Sequence, residues 1–192
     1  MTLPRHTIPP MTLQQFLAAP IHTRDQVYRP PAGGGTPQTP GTYGAWGAIE
    51  HLPPIIDITG CPQVAGHALI YAGQTGDLRD RIQQHYRINS DGSSLRIRLG
   101  IALGLDLRLI SSASGFRNRY SFLKSSGEAK LTGWMADNVR FSWLPNPNPA
   151  ALETLVIAAT NPPFNEPFTP ALSNLISAAD TAARARGPIP DC

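Results

Sequence analysis

The sequence predicts an α+β (mixed α/β) fold, with a small, largely antiparallel central sheet of about three strands flanked by helices. Three observations predict it. Two short runs rich in aromatic and small residues, TYGAWGAIE (42–50) and HALIYAGQ (67–74), read as strands that pair antiparallel. A third run, VRFSWLP (139–145), alternates Val139, Phe141 and Trp143 with Arg140 and Ser142, the period of a half-buried strand. The segments around these runs place apolar residues three and four apart, as helices packed on a sheet do.

Along the chain, residues 1–40 form a Pro/Gly-rich arm with one short helix, TLQQFLAA (12–19), and a flexible or polyproline-like connector, RPPAGGGTPQTPG (29–41). The main domain is expected over 41–168. After the second strand, GDLRDRIQQHY (76–86) reads as a helix, with Asp77 at the N-cap, Asp80 three residues on, and Leu78, Ile82 and Tyr86 as its core stripe. SSLRIRLGIALG (93–104) and LTGWMADN (131–138) are two further helices. Asn148 and Pro149 suit the N-cap and first position of a helix over 150–160, with Leu152, Leu155, Val156 and Ala159 inward, which NPPFNEP then ends. A last helix begins at Thr169 and Pro170, and residues 169–192 form a C-terminal helix and tail packed on the domain.

Composition narrows the function classes. The 192 residues suit one domain with extensions, and 41% hydrophobic content supports a core. Two cysteines, Cys61 and Cys192, are too few for a disulfide framework or a structural zinc site. No apolar run is long enough for a membrane span, and MTLPRHTIPP has no apolar signal core, so the expectation is a cytoplasmic protein with no membrane partner. The absence of GxGxxG, P-loop, HExxH and CxxC patterns removes motif support for nucleotide binding and classical zinc chemistry. Net charge is +3, and all basic residues except Lys124 and Lys130 are arginine. Arginine forks match phosphate geometry, although arginine-rich codon usage accounts for such a bias as well.

The polar residues at the ends of core elements are the candidates for chemistry. Arg81 and His85, four apart, share a helix face beside the Leu78/Ile82/Tyr86 stripe. Taken singly, Arg81 reads as a snorkelling edge arginine, His85 as a core-edge histidine, and Tyr43 and Tyr71 as packing residues. Glu153 sits among Leu152, Leu155, Val156 and Ile157; it reads either as a paired or cation-binding carboxylate or as a charge favoured near a helix N-terminus. Asn165 follows Pro162-Pro163 as a turn former.

Taken together, these residues resemble the GIY-YIG nucleases. The chain reads Gly41-Thr42-Tyr43, then Tyr71-Ala72-Gly73; Arg81 follows Tyr71 by ten residues and His85 comes four later. Ala151-Leu152-Glu153 is similar to the family's glutamate helix, and Pro162-Pro163-Phe164-Asn165 to its asparagine segment. The resemblance covers roughly 41–166. Thr42 and Ala72 depart from the family's aliphatic residues, at strand positions where packing is expected to change more than chemistry.

The resemblance implies a divalent-metal-dependent endonuclease hydrolysing DNA phosphodiester bonds. Tyr43, Tyr71, Arg81, His85, Glu153 and Asn165 would form its catalytic set, with one Mg²⁺ or Mn²⁺ ion on Glu153. The group taking the proton stays open among the tyrosines and His85. Asn165 would orient Glu153 or hold the fold of the site. Arg79, Arg96, Arg98, Arg117 and Arg119, with Lys124, are candidates for contacting nucleic acid, and FRNRYSF (116–122) interleaves arginine with aromatics as stacking surfaces do. The alternative is a catalytically inactive module that keeps the fold and binds nucleic acid; a homo-oligomer is compatible with either.

Overall fold

In the computed structural model, which describes residues 11–110 and 119–188, helices surround a curled antiparallel sheet. The elements in chain order are α1 (Leu13–Leu17), α2 (Arg24–Tyr28), β1 (Gly41–Ala48), β2 (Gln63–Val64), β3 (His67–Thr75), α3 (Leu78–Tyr86), α4 (Ser94–Ala102), β4 (Leu107–Ile110), β5 (Arg119–Phe122), α5 (Ala129–Asn138), β6 (Val139–Pro145), α6 (Pro149–Thr160) and α7 (Pro170–Ala185). The sheet order is β2-β3-β1-β6, every pair antiparallel, while β4 and β5 form a separate ribbon.

The three expected strands are thus joined by a fourth, the two-residue β2. It pairs with β3 through Ala65 and Gly66, both at positive φ (46° and 74°), as a two-residue hairpin turn requires. β1 lies in the middle and all eight of its residues are buried, which its small residues permit on both faces. Tyr43 and Ala45 face the larger core with α3 and Phe141. Trp46 faces a smaller core with Phe16, Leu69, Leu152 and Val156. β3 carries a bulge: its pairing steps from Ala45↔Tyr71 to Trp46↔Leu69, so Ile70 is the extra residue. Ile70 and Tyr71 therefore both join the larger core, and the strand end is re-aimed at α3.

The Asp77 side chain caps α3 by accepting from the Asp80 amide at 3.0 Å, while Asp80 turns its own carboxylate out to Arg87 (3.0 Å) instead of closing the box. Leu78, Ile82 and Tyr86 are buried as their spacing predicts. The connector before β1 is not a free tether. Its Pro37 and Thr39 carbonyls accept from the Arg79 and Leu78 amides, and the Thr36 hydroxyl donates to the Val27 carbonyl. It covers the otherwise unpaired amides at the start of α3.

In α6, Leu152, Val156 and Thr160 point inward, whereas Leu155 (46% exposed) and Ala159 face out, against the expected stripe. The helix is apolar nearly all round, so its sequence alone does not say which side meets the sheet. Asn148 precedes Pro149 as expected but makes no side-chain cap bond. The Thr169 hydroxyl caps α7, which packs on α4 and β4. No helix among the described residues is long and apolar enough to cross a membrane.

Candidate active site

The start of β1, the end of β3 and the flank of α3 converge on one phenol. Tyr43 lies opposite Gly73 in the sheet, and a Cβ at residue 73 would fall 2.5 Å from the Tyr43 ring and hydroxyl. Only glycine leaves room for that ring. Gly41 is equally confined: a Cβ there would meet the Leu78 side chain at 2.6 Å and the Leu144 carbonyl at 2.7 Å. Both glycines of the paired tripeptides therefore have a steric reason.

The Tyr43 hydroxyl accepts from Arg81 Nε at 3.2 Å and lies 2.9 Å from His85 Nε2. Tyr43 is 0% exposed. Its own proton therefore needs a protein acceptor, and of these two partners only His85 can accept. That assigns the tautomer: Tyr43 O–H donates to Nε2, and His85 Nδ1–H donates to Ser93 Oγ at 2.8 Å. The imidazole also stacks on Phe141, with centroids 5.5 Å apart and planes 7° from parallel. Arg81 is half-buried. Its Nη1 donates to Gln84 Oε1 (2.8 Å) and to the Gly92 carbonyl (2.9 Å), and Tyr71 lies in electrostatic range of the same guanidinium. Among the described residues Arg81 has no carboxylate within ion-pair distance.

Burial raises the Tyr43 phenol above its ordinary range; Tyr71 adds to the shift and Arg81 opposes it without cancelling it. His85 is pushed well below the usual imidazole value by burial, then by Arg81 and Arg96, so it is neutral. Burial works to lower the Arg81 guanidinium, but Tyr43 and Tyr71 outweigh it and leave it raised. The fold alone thus keeps Tyr43 protonated.

Glu153 comes from the other side of the sheet, in the second turn of α6. Burial raises its carboxyl, and the Gln74 amide and Arg81 pull it back down. The carboxylate is therefore beside the β3 end and in electrostatic range of the same guanidinium, beyond ion-pair distance. Among the described residues, no group of three or more His, Cys, Asp or Glu gathers as a metal cage. A single half-buried carboxylate fits Mg²⁺ or Mn²⁺, which take few protein ligands and keep several waters, better than it fits zinc.

Asn165 does not reach for Glu153. Its Oδ1 accepts from the Ala72 amide (2.8 Å) and its Nδ2 donates to the Ala72 carbonyl (2.9 Å), while the Phe164 amide donates to the Ile70 carbonyl (3.0 Å). Its carboxamide imitates a neighbouring strand and holds β3 beside Tyr71.

The GIY-YIG catalytic domain matches residues 41–185, about three quarters of the chain. The chain belongs to the GIY-YIG family. No curated protein and no solved structure matches it significantly. Membership makes this a catalytic domain of the nuclease type, whose substrate class is nucleic acid.

Around this GIY-YIG site, the arginines expected to contact nucleic acid divide. Arg79 is half-exposed on α3. Arg98 lies in electrostatic range of Tyr71; it donates to the Phe164 carbonyl (2.6 Å) and to Glu166 (3.1 Å) and covers the Phe168 ring. Arg119 pairs with Asp91. Arg117 and the Lys124 side chain lie outside the described residues. Arg96 requires a correction: it is fully buried in an ion pair with Glu128 (2.7 Å) and has no surface to offer a phosphate. The sequence reading missed Ser93, whose hydroxyl both caps α4 and fixes His85; its signal was a serine at the start of a helix, eight residues after His85.

Proposed function

We propose that the protein is a divalent-metal-dependent DNA endonuclease that hydrolyses phosphodiester bonds with one Mg²⁺ or Mn²⁺ ion held on Glu153. A restriction, defence, mobile-element or repair role suits that activity. One observation carries the reading. A half-buried arginine with no counter-ion among the described residues and a lone half-buried carboxylate approach the same end of β1 and β3, beside two tyrosine hydroxyls.

Hydrolysis adds water oxygen to phosphorus and releases the 3′ oxygen, so negative charge grows on the phosphate. Arg81 supports the reading because neutral acceptors hold it and its charge remains for the non-bridging oxygens. Tyr71, 8% exposed, presents the hydroxyl of the pair that is nearer solvent. Tyr43 and neutral His85 keep Arg81 in register from inside the core. A cation on Glu153 supplies charge neutralisation and a bound water of lowered pKa.

The test is plasmid nicking with Mg²⁺ or Mn²⁺. Arg81→Ala and Glu153→Ala should each lower kcat by about 10²–10³ while DNA binding persists. Cleavage unchanged in both variants overturns the reading. Salt-sensitive DNA binding by the wild type with no cleavage selects the inactive binding module instead.

A further inference from the structure

Thr42 sits in the middle of the first motif, where an aliphatic residue is the family's rule. It is fully buried, yet its hydroxyl is not idle. Thr42 Oγ1 accepts from Asn146 Nδ2 at 3.1 Å and donates to the Pro149 carbonyl at 2.9 Å. The direction is set: with Asn146 donating to the oxygen, the hydroxyl proton goes to the carbonyl. Asn146 is itself fixed, since its Oδ1 accepts from the Asn148 amide (3.0 Å) and its own amide donates to the Pro40 carbonyl (3.0 Å).

Pro149 is the first residue of α6. In an α-helix its carbonyl also receives the amide of the residue four positions on, which is Glu153. The Thr42 hydroxyl and the Glu153 backbone thus share one acceptor. In the sheet Thr42 is paired with Gln74, whose amide faces the Glu153 carboxylate. The next residue after Thr42 is Tyr43.

We propose that Thr42 is a positioning residue for Glu153: its hydroxyl, oriented by Asn146, locks the first turn of α6 to the strand that carries Tyr43, and so sets where the carboxylate meets a divalent cation. The proposal rests on the nuclease reading for the identity of the cation and the reaction. It does not rest on it for the clamp.

The experiment measures Mn²⁺ binding to the DNA-free protein by electron paramagnetic resonance, alongside the Mg²⁺ dependence of plasmid nicking. Thr42→Val keeps the shape and removes the hydroxyl, Thr42→Ser keeps the hydroxyl, and Asn146→Ala removes its orienting partner from a loop outside the sheet. Circular dichroism confirms folding of each. Thr42→Val is expected to raise the half-saturating Mn²⁺ concentration about 10-fold, within the range known for residues that orient a ligand. Asn146→Ala should do so more weakly, and Thr42→Ser should restore wild-type binding. A purely structural role would instead lower thermal stability in the valine and serine variants without separating their Mn²⁺ affinities. Wild-type Mn²⁺ affinity in Thr42→Val overturns the clamp. If Thr42→Val does not fold, Asn146→Ala decides alone, and wild-type affinity there overturns the clamp. Wild-type protein that binds Mn²⁺ but cuts no DNA, with Thr42→Val binding more weakly, brings down the nuclease reading and leaves the clamp standing. Wild-type protein that binds no Mn²⁺ brings down both.

Discussion

Arg81 and Arg96 lie on successive helices fifteen residues apart and are used in opposite ways. Arg96 is sealed inside with its counter-ion. Its Nε donates to Ser90 Oγ, its Nη1 to the His85 carbonyl, and its Nη2 to Glu128 and Thr132. Glu128 in turn takes Ser90, Ser121 and the Phe122 amide. Arg81 is held only by neutral acceptors: a phenol, an amide and a carbonyl. An arginine whose charge is cancelled in the interior serves the fold, whereas one oriented by neutral groups keeps its charge for a ligand. The two are joined, because Arg96 grips the backbone of His85, whose ring reaches Tyr43. The closed network is the bed on which the open one lies.

The largest effect that would break this contrast belongs to Arg96→Ala. It strands a buried carboxylate and should cost about 3–5 kcal/mol, lowering Tm by roughly 6–20 °C for a chain of this size. Arg81→Ala should leave the melting curve nearly in place and act on turnover instead. Equal losses of stability in calorimetry would erase the distinction.

Asn165→Ala comes next. It strips both partners from the Ala72 backbone groups, and each orphaned group costs about 1–3 kcal/mol. Urea denaturation reads the loss directly; a loss below experimental error would mean that water replaces the carboxamide.

The smallest effect is on pH dependence. In the folded chain His85 titrates below its unfolded value of 6.5. Between those values the unfolded chain binds a proton that the folded chain refuses. The contribution is therefore complete above 6.5 and is lost as pH falls toward the folded value. Denaturant unfolding at about pH 7.5 and about pH 5.5 should show lower stability in acid, and His85→Gln should flatten that slope. An unflattened slope would move the acid sensitivity to another group.

Much of the frame was legible. β1, β3 and β6 followed from alternation and aromatic content, and α3 from its stripe and its Asp77 cap. The spacing of Tyr43, Tyr71, Arg81 and Glu153 marked residues that the fold brings together. Arg96 was misread because SLRIRLG shows a charge every second residue and hides its counter-ion, which lies 32 positions away at Glu128. Leu155 was misread because α6 is apolar on nearly every side. The helix α2 went unseen although Thr23 and Gln26 form a full capping box, because five residues hold too little periodicity to register. The ribbon of β4 and β5 is equally short.

One feature of the sheet bears on how the protein behaves in a crowd. The outer rim of β6 is met by the backbone of His22, which exchanges two hydrogen bonds with Phe141. The outer rim of β3 is met in turn by β2, the Pro62 carbonyl, the Phe164 amide and the Asn165 carboxamide. A bare rim offers amides and carbonyls on which another chain can template itself into an aggregate. Here β2 and the neighbouring loops occupy several of those groups on the β3 side, and His22 occupies those of Phe141 on the β6 side. The asparagine that steadies the tyrosine strand therefore also guards the sheet against unwanted strand addition.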